Sequence, residues 1–448
     1  MVGELPPQNQ LPLFDNHLER ILNPKHELVL LCNQIPWGKF DSQFRGSYGA
    51  KGQKGAPIRF VTACLILKQL YNLGDESFVK SWVENPYMQY FTGYSHFCHK
   101  FPHDPTIFVR FRQRIGEEGI RFLFKQSLEI QKERLTSKMV ISDTTVQENN
   151  IQFPTDGRLR QKAINKLADL ASKEGVKLRR TYTREVKKLM RDLQNGKHVK
   201  RRKQAGKASK RLLTILGALL RELHRKLSAE KLLKYQELLE ICKQIHQQTK
   251  LSKNKIYSVH KPHTACIAKG KAHKQYEFGN KVGLIADPNN LLVLSVLAFK
   301  GNPYDGDTIA PLLNEMESHT GYLPNEVVYD RGGRGRKEIR GVTISTPGKP
   351  LKKDSSYEKR KKKGKFRRRA AIEPIIGHLK SDYRMEQNYL KSENGPTINA
   401  LLSAMAWNMK KWMEYMVEKG KSSLFSQVFM LIFWGRAHSK SNGQLLSN

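Results

Sequence analysis

Three acidic residues lie where the sequence changes from one predicted element to the next. Asp143 follows the β-type run "MVIS", and Asp330 ends the run "NEVVYD". Glu373 begins an apolar helix and is the only acidic residue between Glu358 and Asp382, an interval that holds ten Lys and Arg. Carboxylates favour Mg²⁺ or Mn²⁺, and two such ions roughly 3.5–4 Å apart promote in-line displacement at a phosphodiester. The three residues therefore predict a two-ion site in which they are both the metal ligands and the catalytic residues.

A mixed sheet is needed to bring these residues together. After the first run, strand signals return at about 275–285, 291–299, 325–330 and 341–346, with helices at about 307–320 and around Glu373. The order is β, insertion, β, β, α, β, β, α, which is typical of a ribonuclease-H-like α/β domain. Its first three strands form an antiparallel meander and its later strands pair in parallel. We therefore expect neighbouring strands to carry Asp143 and Asp330.

Each of the three acids also has a structural explanation. Asp143 could cap a turn, Asp330 precedes the turn-like "RGGRG", and Glu373 could interact with a helix dipole. Their order along one predicted topology favours catalysis for the three together. In "NPYDGDT", by contrast, Asp305 and Asp307 are interpreted as turn and N-cap residues.

The composition predicts a polyanionic partner. The chain of 448 residues has 79 Lys+Arg and 41 Asp+Glu, a formal net charge of +38. Its longest apolar run, 428–434, has seven residues, whereas a membrane span needs about 20. The first residues do not resemble a secretory signal. We therefore expect no membrane partner and a protein that stays in the cytosol or on the chromosome.

Charge and hydrophobic periodicity divide the chain into four parts. These are an N-terminal helical, candidate DNA-binding domain (15–135), a catalytic domain (136–156 and 255–415), a long basic helical insertion after the first strand (157–254) and a C-terminal tail (416–448). In the first part, Arg110, Arg112 and Arg114 fit two interpretations equally well. They could belong to a helix-turn-helix-like DNA reader, or they could lie on the solvated face of a helical bundle.

The insertion is the most basic of the four parts. Between residues 157 and 228 it holds 23 Lys+Arg against 5 Asp+Glu, an excess that is large for solubility alone. We therefore expect the insertion to lie along nucleic-acid phosphates. Its candidate DNA contacts are Lys200, Arg201, Arg202 and Lys203. One apolar helix face is marked by Leu212, Leu216, Leu219, Leu223 and Leu227.

Several blocks of the sequence, in order, resemble a known family. The blocks are "DTTVQENNIQFPTD", "KAHKQYEFGNKVGL", "GNPYDGDT", "VVYDRGGRG" and "RRAAIEPIIGHLKSDYRM". They resemble the DDE transposases of bacterial insertion sequences, in particular the IS-five group. The resemblance places the family's catalytic triad on Asp143, Asp330 and Glu373.

A second family signature, Tyr-x-x-Arg-x-x-x-Glu with Lys seven positions after the Glu, is matched in part. Arg369, Glu373 and Lys380 fit it, whereas Phe366 stands at the tyrosine position. In the family these residues contact DNA near the cut end. Phe366 cannot donate a hydroxyl hydrogen bond to phosphate, which leaves stacking on a base as its expected contact.

Taken together, these features predict a DNA transposase that works without a protein nucleophile or an organic cofactor. The enzyme is expected to bind the terminal inverted repeats of its element, cleave the ends and transfer the 3′-hydroxyls to target DNA. Two Mg²⁺ or Mn²⁺ ions are its expected cofactors. The resemblance implies double-stranded DNA as the partner, at the element ends and at the target, and a cytoplasmic, nucleoid-associated bacterial protein. A homodimer on DNA is expected because an element has two ends. Two alternatives stay open, a non-catalytic nucleic-acid-binding protein and a domesticated, transposase-derived DNA-binding protein.

Overall fold

The structure is a computed structural model of the chain. It describes residues 2–4, 17–49, 54–194, 196, 198–268, 275–330, 335–346 and 354–441, with side chains up to residue 419. Parts of several predicted segments lie outside the described residues. Among them are 15–16 and 50–53 of the N-terminal region, 271–274 of "KAHKQYEFGNKVGL", most of "RGGRG", the start of the basic stretch before Asp354, and 442–448 of the C-terminal tail.

The described residues between 17 and 135 form mainly helices, as predicted for the region 15–135. Two apolar helices dominate this region, α4, which is buried on nearly all sides, and the longer α7, which bends at Gly116, where φ is 62°. Glycine tolerates this left-handed conformation because it has no Cβ. The helices are α1 (Leu18–Ile21), α2 (Glu27–Gln34), α3 (Trp37–Arg45), α4 (Ile58–Leu70), α5 (Asp75–Glu84), α6 (Pro86–Phe91) and α7 (Ile107–Glu129).

A single mixed sheet forms the centre of the molecule. Its strands are β1 (Met139–Asn149), β2 (Ala265–Ala268), β3 (Tyr276–Ala286), β4 (Val293–Phe299), β5 (Glu326–Val328), β6 (Glu338–Ile339), β7 (Val342–Ser345) and β8 (Gln387–Asn388). The antiparallel pairs β4–β3 and β3–β1 are followed by the parallel pairs β1–β5 and β5–β7. This is the predicted meander followed by parallel strands, and the mixed α/β class is confirmed.

The strand boundaries differ from the prediction in two respects. The first strand was expected to end at Asp143, but β1 continues to Asn149 because β3 pairs with it as far as Glu148. Asp143 therefore lies within a long strand. The short strands β2, β6 and β8 were not predicted, since two to four residues carry too little periodicity to detect.

Four helices pack on or beside the sheet. They are α13 (Ile309–Thr320), α14 (Ser356–Arg369), α15 (Ile372–Ser381) and α16 (Gly395–Ser441). The helix α16 contacts α4, α7 and β4, so the N-terminal helices and the sheet share one apolar core. The boundary expected at residue 135 thus lies inside that core, and 416–441 of the expected tail continue α16. Within the described residues, no helix combines the length and apolarity needed to span a bilayer.

The chain segment that connects β1 to β2 forms a second group of helices, which has an apolar cluster of its own. It comprises α8 (Asp156–Lys173), α9 (Thr183–Leu193), α10 (Val199–Lys226), α11 (Ala229–Lys234) and α12 (Gln236–Gln247). The five leucines expected to share one face, from Leu212 to Leu227, are all buried in this cluster.

Candidate active site

The sheet relates the positions of Asp143 and Asp330. In the parallel pair β1–β5, Ile141 lies opposite Val328. Asp143 lies two residues after Ile141, and Asp330 lies two residues after Val328. Parallel strands run side by side in one direction, so both aspartates follow the same end of the β1–β5 pairing. Asp143 lies within β1, whereas Asp330 lies two residues beyond the last residue of β5.

The edge of β1 is open where Asp143 lies. On the edge opposite β3, β5 pairs with β1 only as far as Ile141, and β8 joins only from Glu148 onward. Helices α14 and α15 contact β1. Helix α15 is anchored by Ile372, Ile375 and Leu379, whose spacing places them on one buried helix face.

Arg369, at the end of α14, connects two of the three acids. Its guanidinium donates to Asp143 Oδ2 over 3.1 Å and to Glu373 Oε1 over 3.2 Å. The Asp143 and Arg369 side chains are 17% and 19% exposed, whereas Glu373 is 64% exposed. Asp143 and Glu373 therefore share one cationic partner, the Arg369 guanidinium.

Electrostatics connects Asp330 to the same site. Burial raises the pKa of Asp143 to about 6, and the Asp330 and Glu373 carboxylates act in the same direction. The Thr144 amide, which donates to Asp143 Oδ1 over 2.7 Å, and the Arg369 guanidinium lower that pKa. The net shift is upward although Asp143 is ion-paired, because desolvation is the largest contribution. The site thus concentrates negative charge that a further cation would relieve.

The donor set fits a hard divalent cation, since it consists of carboxylate oxygens. Among the described residues, however, no three Asp, Glu, His or Cys side chains are arranged to hold a metal ion as they stand. The Arg369 guanidinium lies between Asp143 and Glu373 and supplies positive charge there. Coordination by both acids would require this side chain to move.

The two other predicted contacts near the cut end are half-buried. Phe366 packs against the main core, and its stacking on a base stays a prediction. Lys380 is half-buried in a polar cleft beside Glu148 and Arg384. The surrounding basic stretch is helical, begins with a Ser355–Glu358 capping box and is tied to β5 by the ion pair between Lys365 and Glu326 over 2.7 Å.

The N-terminal arginines do not form one exposed reading face. Only Arg110 and Arg114 are exposed, and Arg114 stacks on Tyr48 at 4.2 Å. Arg112 is 12% exposed and lies 3.5 Å from Asp75, so its expected DNA contact is corrected to an intramolecular one. Burial of its guanidinium is favourable only with such a partner.

The basic cluster of the helical segment is accessible. Lys200, Arg201, Arg202 and Lys203 are all exposed, and they lie among the first five residues of α10. Within the described part of the chain, none of the four forms an ion pair. Cations at a helix N-terminus oppose the helix dipole, so these charges do not stabilise α10.

The sequence did not predict the polar network around Asp305. Asp305, interpreted as a turn residue, accepts hydrogen bonds from Thr144 Oγ1 at 3.0 Å and Lys281 Nζ at 2.7 Å. Asp307 lies inside the 3₁₀ turn Asp305–Thr308 and pairs with Arg336, so it is not an N-cap. The motif "NPYDGDT" was visible in the sequence, but its partners lie on other strands.

Comparison with known proteins gives two family matches and one relative. The family described as "Transposase domain (DUF772)" matches residues 16–114, and "Transposase DDE domain" matches residues 245–409. The second match includes Asp330 and Glu373, whereas Asp143 lies outside both. An uncharacterized Rhizobium meliloti protein, ORF8 in the nfe locus, is 39% identical over 188 residues, 41% of this chain and 91% of that protein. No solved structure matches the chain significantly.

Proposed function

The chain belongs to the DDE transposases of insertion sequences, and on that premise we propose that it binds the terminal inverted repeats of its element, cleaves the ends and transfers the 3′-hydroxyls to target DNA. The IS-five group is the proposed subgroup. The proposed catalytic unit is a ribonuclease-H-like domain, with the helices between β1 and β2 as its basic insertion. The proposed DNA-binding part (15–135) and catalytic part (136–156 and 255–415) pack on one apolar core, and 157–254 form the proposed insertion.

One observation supports the catalytic proposal more than any other. Asp143 and Asp330 each lie two residues after the last pair of the parallel strands β1 and β5, Ile141 and Val328, and Arg369 joins Asp143 to Glu373. A turn aspartate or a helix-start glutamate does not need this convergence. Three acids brought together from two strands and one helix are the constellation that phosphodiester cleavage requires.

Asp143, Asp330 and Glu373 would hold the divalent ions, two of Mg²⁺ or Mn²⁺. When bound, such ions activate the attacking oxygen and stabilise the leaving oxygen at the phosphodiester. The strands β1 and β5 fix the spacing of the two aspartates, and α15 presents Glu373. We propose that Arg369 exchanges its carboxylate partners for a DNA phosphate, which matches its expected contact near the cut end.

The DNA is proposed to contact three basic regions of the chain. Arg369 and Lys380 would hold the cleaved end, the α10 cluster Lys200–Lys203 would follow the phosphates, and Arg110 remains an N-terminal candidate.

A homodimer would pair the two ends of the element. Sedimentation of the protein on paired end duplexes should therefore give a dimeric complex, and a strictly monomeric active species would contradict the homodimer. The protein is proposed to work in the bacterial cytoplasm on the nucleoid.

Cleavage of an end duplex, with Mg²⁺ or EDTA present, tests the proposal. The wild-type protein should nick the element end only with the metal, and Asp330→Asn should bind the duplex equally well without nicking it. Binding of element ends by a wild-type protein that never cleaves would instead favour the domesticated DNA-binding alternative. Equal affinity for end and random duplexes, without cleavage, would favour a general nucleic-acid-binding protein.

A further inference from the structure

A polar network lies beside the catalytic segment of β1, on the other face of the sheet. Successive side chains of a strand point to opposite faces, so Thr144 faces away from Asp143. Thr144 pairs with Gly283 on β3, where an added Cβ would lie 2.8 Å from Leu312 of α13. The Thr144 side chain is thus on the face that α13 covers.

Asp305 collects two hydrogen bonds on that face. Its Oδ1 accepts from Thr144, 161 positions away, at 3.0 Å and from Lys281, 24 positions away, at 2.7 Å. Lys281 also donates to the Pro303 carbonyl at 2.7 Å, and its side chain is only 11% exposed. An ordinary turn aspartate bonds to backbone groups nearby in sequence, so these long-range bonds call for another explanation.

The same turn also contacts Tyr329, the residue before Asp330. Thr308 donates to the Asp305 carbonyl at 2.6 Å, and the Tyr329 hydroxyl lies 3.4 Å from both that carbonyl and the Thr308 hydroxyl. Tyr329 is fully buried and directly precedes Asp330. The turn Asp305–Thr308 therefore contacts the residue after one catalytic aspartate and the residue before the other.

We propose that Asp305 is a positioning residue for the cleavage reaction, which, with Lys281, holds Thr144 and thereby the β1 segment that presents Asp143. Both Asp305 Oδ1 bonds are made inside the protein, so the carboxylate acts through Thr144 and not on the substrate. Removing a group that orients a metal ligand through hydrogen bonds typically changes metal affinity or activity about 10–100-fold. This inference rests on the proposed function.

The variant Thr144→Val tests the network with little change in shape. It removes the hydroxyl, keeps a β-branched residue in the strand, and leaves the Asp305–Lys281 ion pair intact. We expect Mn²⁺ affinity, measured by electron paramagnetic resonance, and kcat for end cleavage each to fall about 10–100-fold. Affinity for the end duplex should stay within about twofold. Thr144→Ser restores the donor and should restore both quantities.

Asp307→Asn is the matched control, because Asp307 lies in the same turn but pairs with Arg336. It should behave like wild type. Asp305→Asn gives a second measure should Thr144→Val not fold: it removes the charge facing Lys281, and Mn²⁺ affinity should fall relative to the control. Wild-type values for Thr144→Val, or equal losses for the Val and Ser variants, would overturn the positioning role. A wild-type protein that neither binds Mn²⁺ nor cleaves would overturn the proposed function instead.

Discussion

Replacing Asp143 with Asn should abolish cleavage and, without divalent metal, make the protein more stable near neutral pH. Burial and the neighbouring acids raise the pKa of this carboxyl from 3.8 to about 6. Two pKa units correspond to about 3 kcal/mol of folding free energy lost when the group ionises. Asn keeps an acceptor for the Thr144 amide but weakens the bond to Arg369, so we expect a net gain of about 1–2 kcal/mol.

The direction of the pH dependence follows from the raised pKa. Between about pH 4 and pH 6 the native state holds this proton more tightly than the unfolded state, so wild-type stability falls as the pH rises. The penalty is complete above pH 6 and nearly absent at pH 4. The advantage of Asp143→Asn should therefore be present at pH 7.5 and largely disappear at pH 4.

Urea unfolding in EDTA at both pH values measures the effect, alongside cleavage of an end duplex in Mg²⁺. Asp382→Asn is a matched control, because hydrogen bonds from Ser381 and His378 lower the pKa of Asp382, so this substitution should not stabilise the protein at pH 7.5. An Asp143→Asn protein less stable than wild type at pH 7.5 would refute the electrostatic reasoning. Retained Mg²⁺-dependent cleavage would refute the assignment of Asp143 as a ligand.

Three further predictions address the other charged groups. Glu373→Gln should lower the cleavage rate by several orders of magnitude but reduce stability by no more than about 1 kcal/mol. Glu358→Gln, which also lies in the first turn of a helix, should keep cleavage. Similar cleavage by both variants would mean that Glu373 only stabilises the start of its helix. Neutralising Lys200, Arg201, Arg202 and Lys203 to Gln should weaken binding to all duplexes alike and flatten the salt dependence, by roughly one unit for each DNA phosphate that is no longer neutralised. Unfolding should show no loss of stability, since these cations oppose the α10 dipole, and an unchanged salt slope would mark them as solvated surface. Mn²⁺ affinity should fall as the pH drops below about 6 and Asp143 takes up its proton; a pH-independent affinity would argue against Asp143 as a ligand.

The sequence determined the features that depend on local patterns. Apolar runs and turn signals placed β3, β4, β7 and α13 within a few residues of their observed limits, because burial imposes regular spacing on the elements. The strand order then predicted that Asp143 and Asp330 lie on neighbouring strands. Charge alone predicted the polyanionic partner, since a net charge of +38 is a property of composition.

The tertiary structure decided which side chains meet. The length of β1 depends on its pairing with β3, so the position of Asp143 within the strand could not be read from residues 139–149 alone. Arg112 had the residue type of a DNA contact, but packing directs it to Asp75. Asp305 had the pattern of a turn residue, yet its partners lie 24 and 161 positions away. A hydrogen bond acts over about 3 Å, and proximity at that distance between remote residues arises only when the chain folds.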